Sequence, residues 1–281
     1  MTVGTRTRHV TGAASTAVRP VLEAPRRPAR VLAAFPAGVY LEVRTDLEPS
    51  VIAIITGAAT RLPNSVLLAA ELPHVTVGDE AAVGDGSVEL GHLSLRARRW
   101  WDPAPPLGPV DLVRLAEALP RVVPHGAGLA GNSTVALLAE SCASGWLLGA
   151  VSAAERLVGL GPGLTPSGDD VLAGLLVTLR HLGGAAGVER AVWLAGWLAA
   201  TVTYDARTRT TPISATLLHC AARGEASPEV TDVLRAVADG LPLDPALLRL
   251  HALGHTSGAD LTQGIAIGLS AVVGMGAGGG T

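Results

Sequence analysis

No lysine occurs anywhere in the 281 residues, and all 21 basic residues are arginine. That absence removes the phosphate-holding lysine of a Walker-type P-loop and any Schiff-base chemistry. Aromatic residues make up only 3% of the chain, and there are two cysteines, Cys142 and Cys220. Both cysteines fall in helical patterns, so they read as buried apolar fillers and give no disulfide framework. No His/Cys spacing suits a structural zinc site, and no G-x-S-x-G elbow marks a serine hydrolase. A net charge of −3 provides no basic footprint for nucleic acid. The apolar runs 191–203 and 265–277 are too short for a membrane span, and no apolar segment follows the early arginines to make a secretory signal. The expectation is a cytoplasmic chain with neither a membrane nor a nucleic-acid partner.

What is present is aliphatic. Hydrophobic residues make up 48% of the chain, almost all of them Ala, Val and Leu, as in a core of closely packed helices. Residues 1–29 are rich in Arg, Pro and Thr and read as a disordered segment. From 30 to 108 the pattern is of short strands, at 39–43, 51–55, 65–69, 75–77 and 88–95, separated by turn signals. The run Arg99-Trp100-Trp101-Asp102-Pro103 breaks that regularity and reads as a boundary. From 109 to 275 helical periodicity dominates, with helices expected near 109–119, 133–149, 150–158, 170–182, 187–203, 213–223, 228–239, 243–252 and 259–274. Residues 276–281 read as a flexible tail. The fold class expected is α+β: a small antiparallel β-rich N-terminal portion, then a mostly helical C-terminal portion.

The most informative stretch is Gly159-Leu160-Gly161-Pro162-Gly163-Leu164-Thr165-Pro166-Ser167-Gly168-Asp169-Asp170. It places glycines, hydroxyls and two adjacent acids directly before an apolar helix, where bare N–H groups and the positive end of the helix dipole gather. Ser167 and Asp170 fit a capping box, which would leave Asp169 replaceable at little cost to stability. A second segment repeats the frame. Ser257-Gly258-Ala259-Asp260 matches Ser-Gly-x-Asp, and Gly264 falls where Gly174 does in the first copy. Thr165 and Thr256 precede the two serines. A glycine two turns into each helix predicts that the helices cross closely there, with their N-termini converging on one ligand.

Helix N-termini favour anions, yet Asp169, Asp170 and Asp260 repel a bare phosphate. Either a divalent ion such as Mg²⁺ lies between Asp169, Asp170 and the anion, or the ligand carries N–H donors, as a carbamoyl or ureido group does. Arg207 and Arg209, in Asp205-Ala206-Arg207-Thr208-Arg209-Thr210-Thr211-Pro212-Ile213-Ser214, are candidate partners for a carboxylate or phosphate, with Thr211 and Pro212 starting a helix. His255, in the loop before Ser257, is a candidate proton shuttle. His125 and Asn132-Ser133 read as a turn and a cap.

The three blocks GLGPGLTPSGDD, TRTTPIS at 208–214 and GHTSGAD at 254–260 resemble the DUF2877 family. That family includes the third subunit of bacterial oxamate carbamoyltransferase, from anaerobic allantoin breakdown. The resemblance covers about residues 30–274. It implies a subunit of a multi-subunit carbamoyltransferase active only with its partner subunits, acting on a small ureido or carbamoyl compound with phosphate. It also adds Thr210, Thr211 and Ser214 to the shared site. The substrate-binding set expected is then Gly161, Gly163, Thr165, Ser167, Gly168, Arg207, Arg209, Thr210, Thr211, Ser214, Ser257 and Gly258, around the catalytic candidates Asp169, Asp170, Asp260 and His255. A non-catalytic ligand-binding or scaffold subunit and a Mg²⁺-dependent phosphotransferase are the alternative readings.

Overall fold

A computed structural model of the chain describes residues 7–278, in two compact units that divide after Pro103. The first unit is built from β1 (Arg8–Ser15), α1 (Arg19–Glu23), β2 (Arg27–Phe35), β3 (Gly38–Val43), β4 (Val51–Ile55), β5 (Ser65–Leu68), β6 (Glu80–Gly84), β7 (Ser87–Leu90) and β8 (Leu93–Trp101). These strands form a closed barrel in the order β1-β5-β4-β3-β2-β6-β7-β8. β1 runs parallel to β8, and β4 parallel to β5; the other pairs are antiparallel. The expected small antiparallel sheet is thereby corrected to a closed barrel of mixed pairing. Strand directions must match on returning to the start of an eight-membered ring, so the first parallel pair enforces a second.

The closing strand is the part that the sequence conceals. β1 reads RHVTGAAS, with weak alternation and small residues, inside the segment expected to be disordered. Within that segment, residues 7–29 instead hold β1, α1 and the start of β2, while 1–6 lie outside the described residues. The strand expected at 75–77 does not form. The one expected at 88–95 is two, β7 and β8, hinged at Gly91. Inside the barrel, Val31, Leu41, Ile52, Ile54 and Leu95 form a core that also takes in Val21 and Leu22 of α1.

The second unit is helical: α2 (Leu112–Ala118), α3 (Ser133–Ser144), α4 (Leu147–Leu157), α5 (Ser167–Ala185), α6 (Glu189–Tyr204), α7 (Ala206–Arg209), α8 (Pro212–Ala222), α9 (Pro228–Asp239), α10 (Leu243–His251) and α11 (Ser257–Ala277). Gly145, left-handed at φ 70°, ends α3 and starts a turn inside the helix expected at 133–149. Of the expected tail, residues 276 and 277 belong to α11, and 279–281 lie outside the described residues.

α5 and α11 are the centre of this unit and pack most extensively on each other. Their crossing point is the pair Gly174 and Gly264. A Cβ on Gly264 would collide with the Val171 carbonyl oxygen and reach 3.0 Å from the Gly174 Cα; one on Gly174 would collide with the Leu261 carbonyl. Backbone therefore lies on backbone, as the paired glycines predict. Among the described residues α11 alone is long and apolar enough to cross a membrane, but 67% of its apolar window is buried inside the unit, as in a core helix.

Gly264→Ala should lower stability by about 1–3 kcal/mol, because overpacking outweighs the helix-propensity gain of about 1 kcal/mol. Gly184→Ala, also in α5 but with nothing within 4 Å of the added methyl, should raise stability by about 0.5–1 kcal/mol. Urea unfolding of both variants tests the contrast.

Candidate functional site

The two Ser-Gly-x-Asp copies are built alike. In the first, Gly168 presses on the Leu157 carbonyl at the end of α4, and its N–H donates to Leu160 O at 2.8 Å. In the second, Gly258 presses on the Leu250 carbonyl near the end of α10, and its N–H donates to Leu253 O at 3.1 Å. A side chain at either glycine would force the helix start off the preceding helix. Both copies thus fix the N-terminus of a long helix against the C-terminus of a short one.

The capping box is not formed. Ser167 lies inside the first turn of α5, Pro166 occupies the cap position, and the Asp169 and Asp170 N–H groups both donate to Pro166 O. Ser257 sits likewise at the start of α11, behind Thr256. Each serine comes one residue after the cap position, Pro166 or Thr256, so neither caps its helix, and the two helix starts meet through a pair of hydroxyls. Thr165 Oγ1 and Ser257 Oγ are 3.0 Å apart there, joining the two copies.

The acids divide into two kinds. Asp169 is buried and saturated, accepting from Gly159 N–H at 2.7 Å, Ser214 Oγ at 2.6 Å and Thr210 Oγ1. It binds the glycine loop to the start of α8. Thr211, the N-cap of α8, accepts from Ser214 N–H at 3.1 Å and donates to Leu164 O at 2.5 Å, pinning the same loop. The residues expected as one ligand set, Thr210, Thr211 and Ser214, are therefore gathered, but as partners of this scaffold. The Mg²⁺ reading paired Asp169 with Asp170; both Asp169 oxygens already hold donors. Among the described residues no group of three or more His, Cys, Asp or Glu side chains gathers to hold an ion.

Asp170 and Asp260 are the other kind. They occupy equivalent places in the two copies, both are buried, and each has an Oδ2 with no hydrogen-bond partner. Asp260 Oδ1 accepts from Gly128 N–H at 2.7 Å, which draws the loop before α3 onto the start of α11. At Gly128 a Cβ would overlap Ser167 Oγ and lie 3.4 Å from Asp260 Oδ2, so Gly128, Ser167 and Asp260 sit close against one another. Burial pushes the Asp170 carboxyl up to about 8; the Asp260 and Asp169 charges add to the rise, and hydroxyl hydrogen bonds from Ser257 and Thr165 oppose it. At neutral pH Asp170 is a carboxylic acid, a donor beside an acceptor.

Other expected residues lie further out. Gly161 (φ 122°) and Gly163 (φ 95°) shape the exposed part of the loop. His255 is exposed in the turn before α11. Arg207 and Arg209 lie on α7, exposed, and Arg209 Nη2 donates to Glu155 O at 2.5 Å near the end of α4. Sequence reasoning missed the Gly128 N–H, which meets Asp260 from 132 residues away, and no local pattern announces such a bond. It also missed His251, whose Nε2 lies 3.0 Å from Thr262 Oγ1 and whose ring meets His125 edge-on at 6.2 Å. Burial and then the His125 charge lower the His251 pKa.

Fold and site together define a helical unit in which two related helix starts enclose a pair of buried carboxyl groups. Residues 157–269 match the model of the family described as oxamate carbamoyltransferase subunit AllH. That segment runs from the end of α4 into α11 and so contains both Ser-Gly-x-Asp copies, and over it the chain is similar to this family. No solved structure matches the chain.

Asp169→Asn should cost about 2 kcal/mol or more, since an amide N–H₂ would face a donor where the carboxylate accepts three. A thermal shift of a degree or less would contradict the scaffold role. For Asp170 the folded pKa lies above the unfolded 3.8, so its contribution to stability is greatest below about pH 4 and declines as pH rises to about 8. Asp170→Asn mimics the protonated acid. Its unfolding midpoint relative to the parent chain should rise from pH 4 to pH 8 and level off above, and a pH-independent difference would refute the raised pKa.

Proposed function

We propose that this chain is a cytoplasmic subunit of a carbamoyltransferase of the oxamate carbamoyltransferase type, and that its helical unit binds the carbamoyl group of a small ureido acid. The observation that carries this reading is the pair of unpartnered, buried Oδ2 atoms on Asp170 and Asp260, set between two helix starts. A protonated carboxyl beside a second carboxyl offers one donor and one acceptor, the complement of a primary amide's C=O and N–H₂. The family match supports the same class and a requirement for partner subunits.

In this reading phosphate lies against the loop 161–165 at the N-termini of α5 and α11, whose dipoles favour an anion. Arg207 and Arg209 on the adjoining α7 add positive charge. A phosphate oxygen attacks the carbamoyl carbon, a C–O bond forms, and the C–N bond to the departing amide breaks. Asp170 gives its proton to the amide nitrogen, and the proton of hydrogenphosphate restores the acid. Asp260 Oδ2 orients the carbamoyl N–H₂, while Ser167, Thr165 and Ser257 line the same volume. Asp169 takes no part in the chemistry; it holds Gly159, Thr210 and Ser214 in place.

The test is reconstitution. The chain, mixed with the products of its neighbouring genes, should release carbamoyl phosphate from an oxalurate-like ureido acid and phosphate, and remain inactive alone. Asp260→Asn keeps the Oδ1 acceptor for Gly128 but turns the free oxygen into a donor. It should lower the reconstituted rate at least about tenfold, or about 1.4 kcal/mol, with its melting temperature little changed. Full activity of the Asp260→Asn assembly, or turnover by the isolated chain, would overturn the reading.

A further inference from the structure

The outer face of α6 is unlike the rest of the helical surface. Trp193 and Trp197 stack edge to face there, with centroids 6.0 Å apart, and are 54% and 50% exposed. Tyr204, on the same stripe, is 92% exposed. Beside its first turn, Gly145 lies against the Arg190 guanidinium, so the exposed Trp146 and Leu148 extend the patch. Three of the five tryptophans of a chain with few aromatics are thus held in water. Gly196 lies in the middle of this 16-residue helix, with nothing in the chain within 4 Å of where its Cβ would be. An exposed mid-helix glycine weakens a helix, and no contact within the chain requires this one.

We propose that this stripe is where two copies of the chain associate, α6 packing antiparallel on α6 about a twofold axis between Gly196 and Trp197. The stripe is complementary to itself under that operation, which pairs positions whose numbers are equally far from the axis. Trp197 of one copy falls on Gly196 of the other, Trp193 on Ala200, Val192 on Thr201, and Glu189 on the Tyr204 hydroxyl. Large side chains meet small ones throughout, and Gly196 lets the helices approach as Gly174 and Gly264 do in the core. The opposed helix dipoles are favourable, and Arg190 comes within reach of the other copy's Asp205, whose ion pair to Arg209 within the chain is long at 3.9 Å. At roughly 150–250 Å² for each aromatic side chain, the exposed parts of Trp146, Trp193, Trp197 and Tyr204 come to roughly 500 Å², and the exposed Leu148 and Val192 add to it. That approaches the roughly 800 Å² that each partner contributes to a stable interface.

Light scattering and sedimentation of the full chain across a concentration series test this directly. The expected species is a dimer of twice the 28.4 kDa chain mass. Trp197→Glu and Gly196→Trp should each raise the dimer dissociation constant at least about tenfold with the helical circular dichroism unchanged, since Gly196 has open space and Trp197 is half exposed. Leu248→Glu, at a more exposed apolar position on α10, should leave the dimer intact. A parent chain that stays monomeric overturns the proposal, whatever other proteins it binds. So does a dimer indifferent to both α6 variants.

Discussion

Two backbones touch where α5 crosses α11, and the rest of the helical unit is arranged around that contact. Glycine at 174 and 264 removes the side chains that normally hold helix axes apart, so the helices meet at backbone distance. One turn before each glycine lies an aspartate, Asp170 in α5 and Asp260 in α11. The crossing brings these two carboxyl groups, and the two helix starts that carry them, into one volume. Without so close an approach the N-termini would diverge and the acids would face solvent separately.

Carboxyl groups buried in such a place are costly, and the structure handles the cost differently for each. Asp169 meets three donors and becomes a structural joint between the glycine loop and α8. Asp260 meets one, the Gly128 N–H. Asp170 has hydroxyl contacts, but its burial and the neighbouring charges favour the neutral acid. A fully satisfied carboxylate stabilises a fold; an incompletely satisfied pair stores unfavourable energy that a ligand with matching donors and acceptors can release. That difference separates scaffold from candidate site among three acids that look equivalent in the sequence.

The barrel unit illustrates a related point about closure. Its core of Val, Leu and Ile alternates in most strands, and β4 is buried on both faces as a continuous apolar run. The strand that closes the ring, β1, has almost no such signature. Closure itself supplies the stabilisation, because a strand with partners on both sides, β5 and β8, leaves no open edge.

By itself the sequence determined the helical periodicity beyond residue 109, the paired Ser-Gly-x-Asp frames, the N-cap at Thr211 and the crossing at Gly174 and Gly264. Those features are written in spacing over a few residues, where helix geometry fixes which side chains share a face. The tertiary structure alone decided that β1 closes a mixed barrel, that Asp169 is bound by Thr210 and Ser214, and that Gly128 reaches Asp260. Each of these depends on partners distant in the chain. The hydrogen-bonding and burial of a carboxylate follow from what packs around it, and no local pattern of residues encodes that.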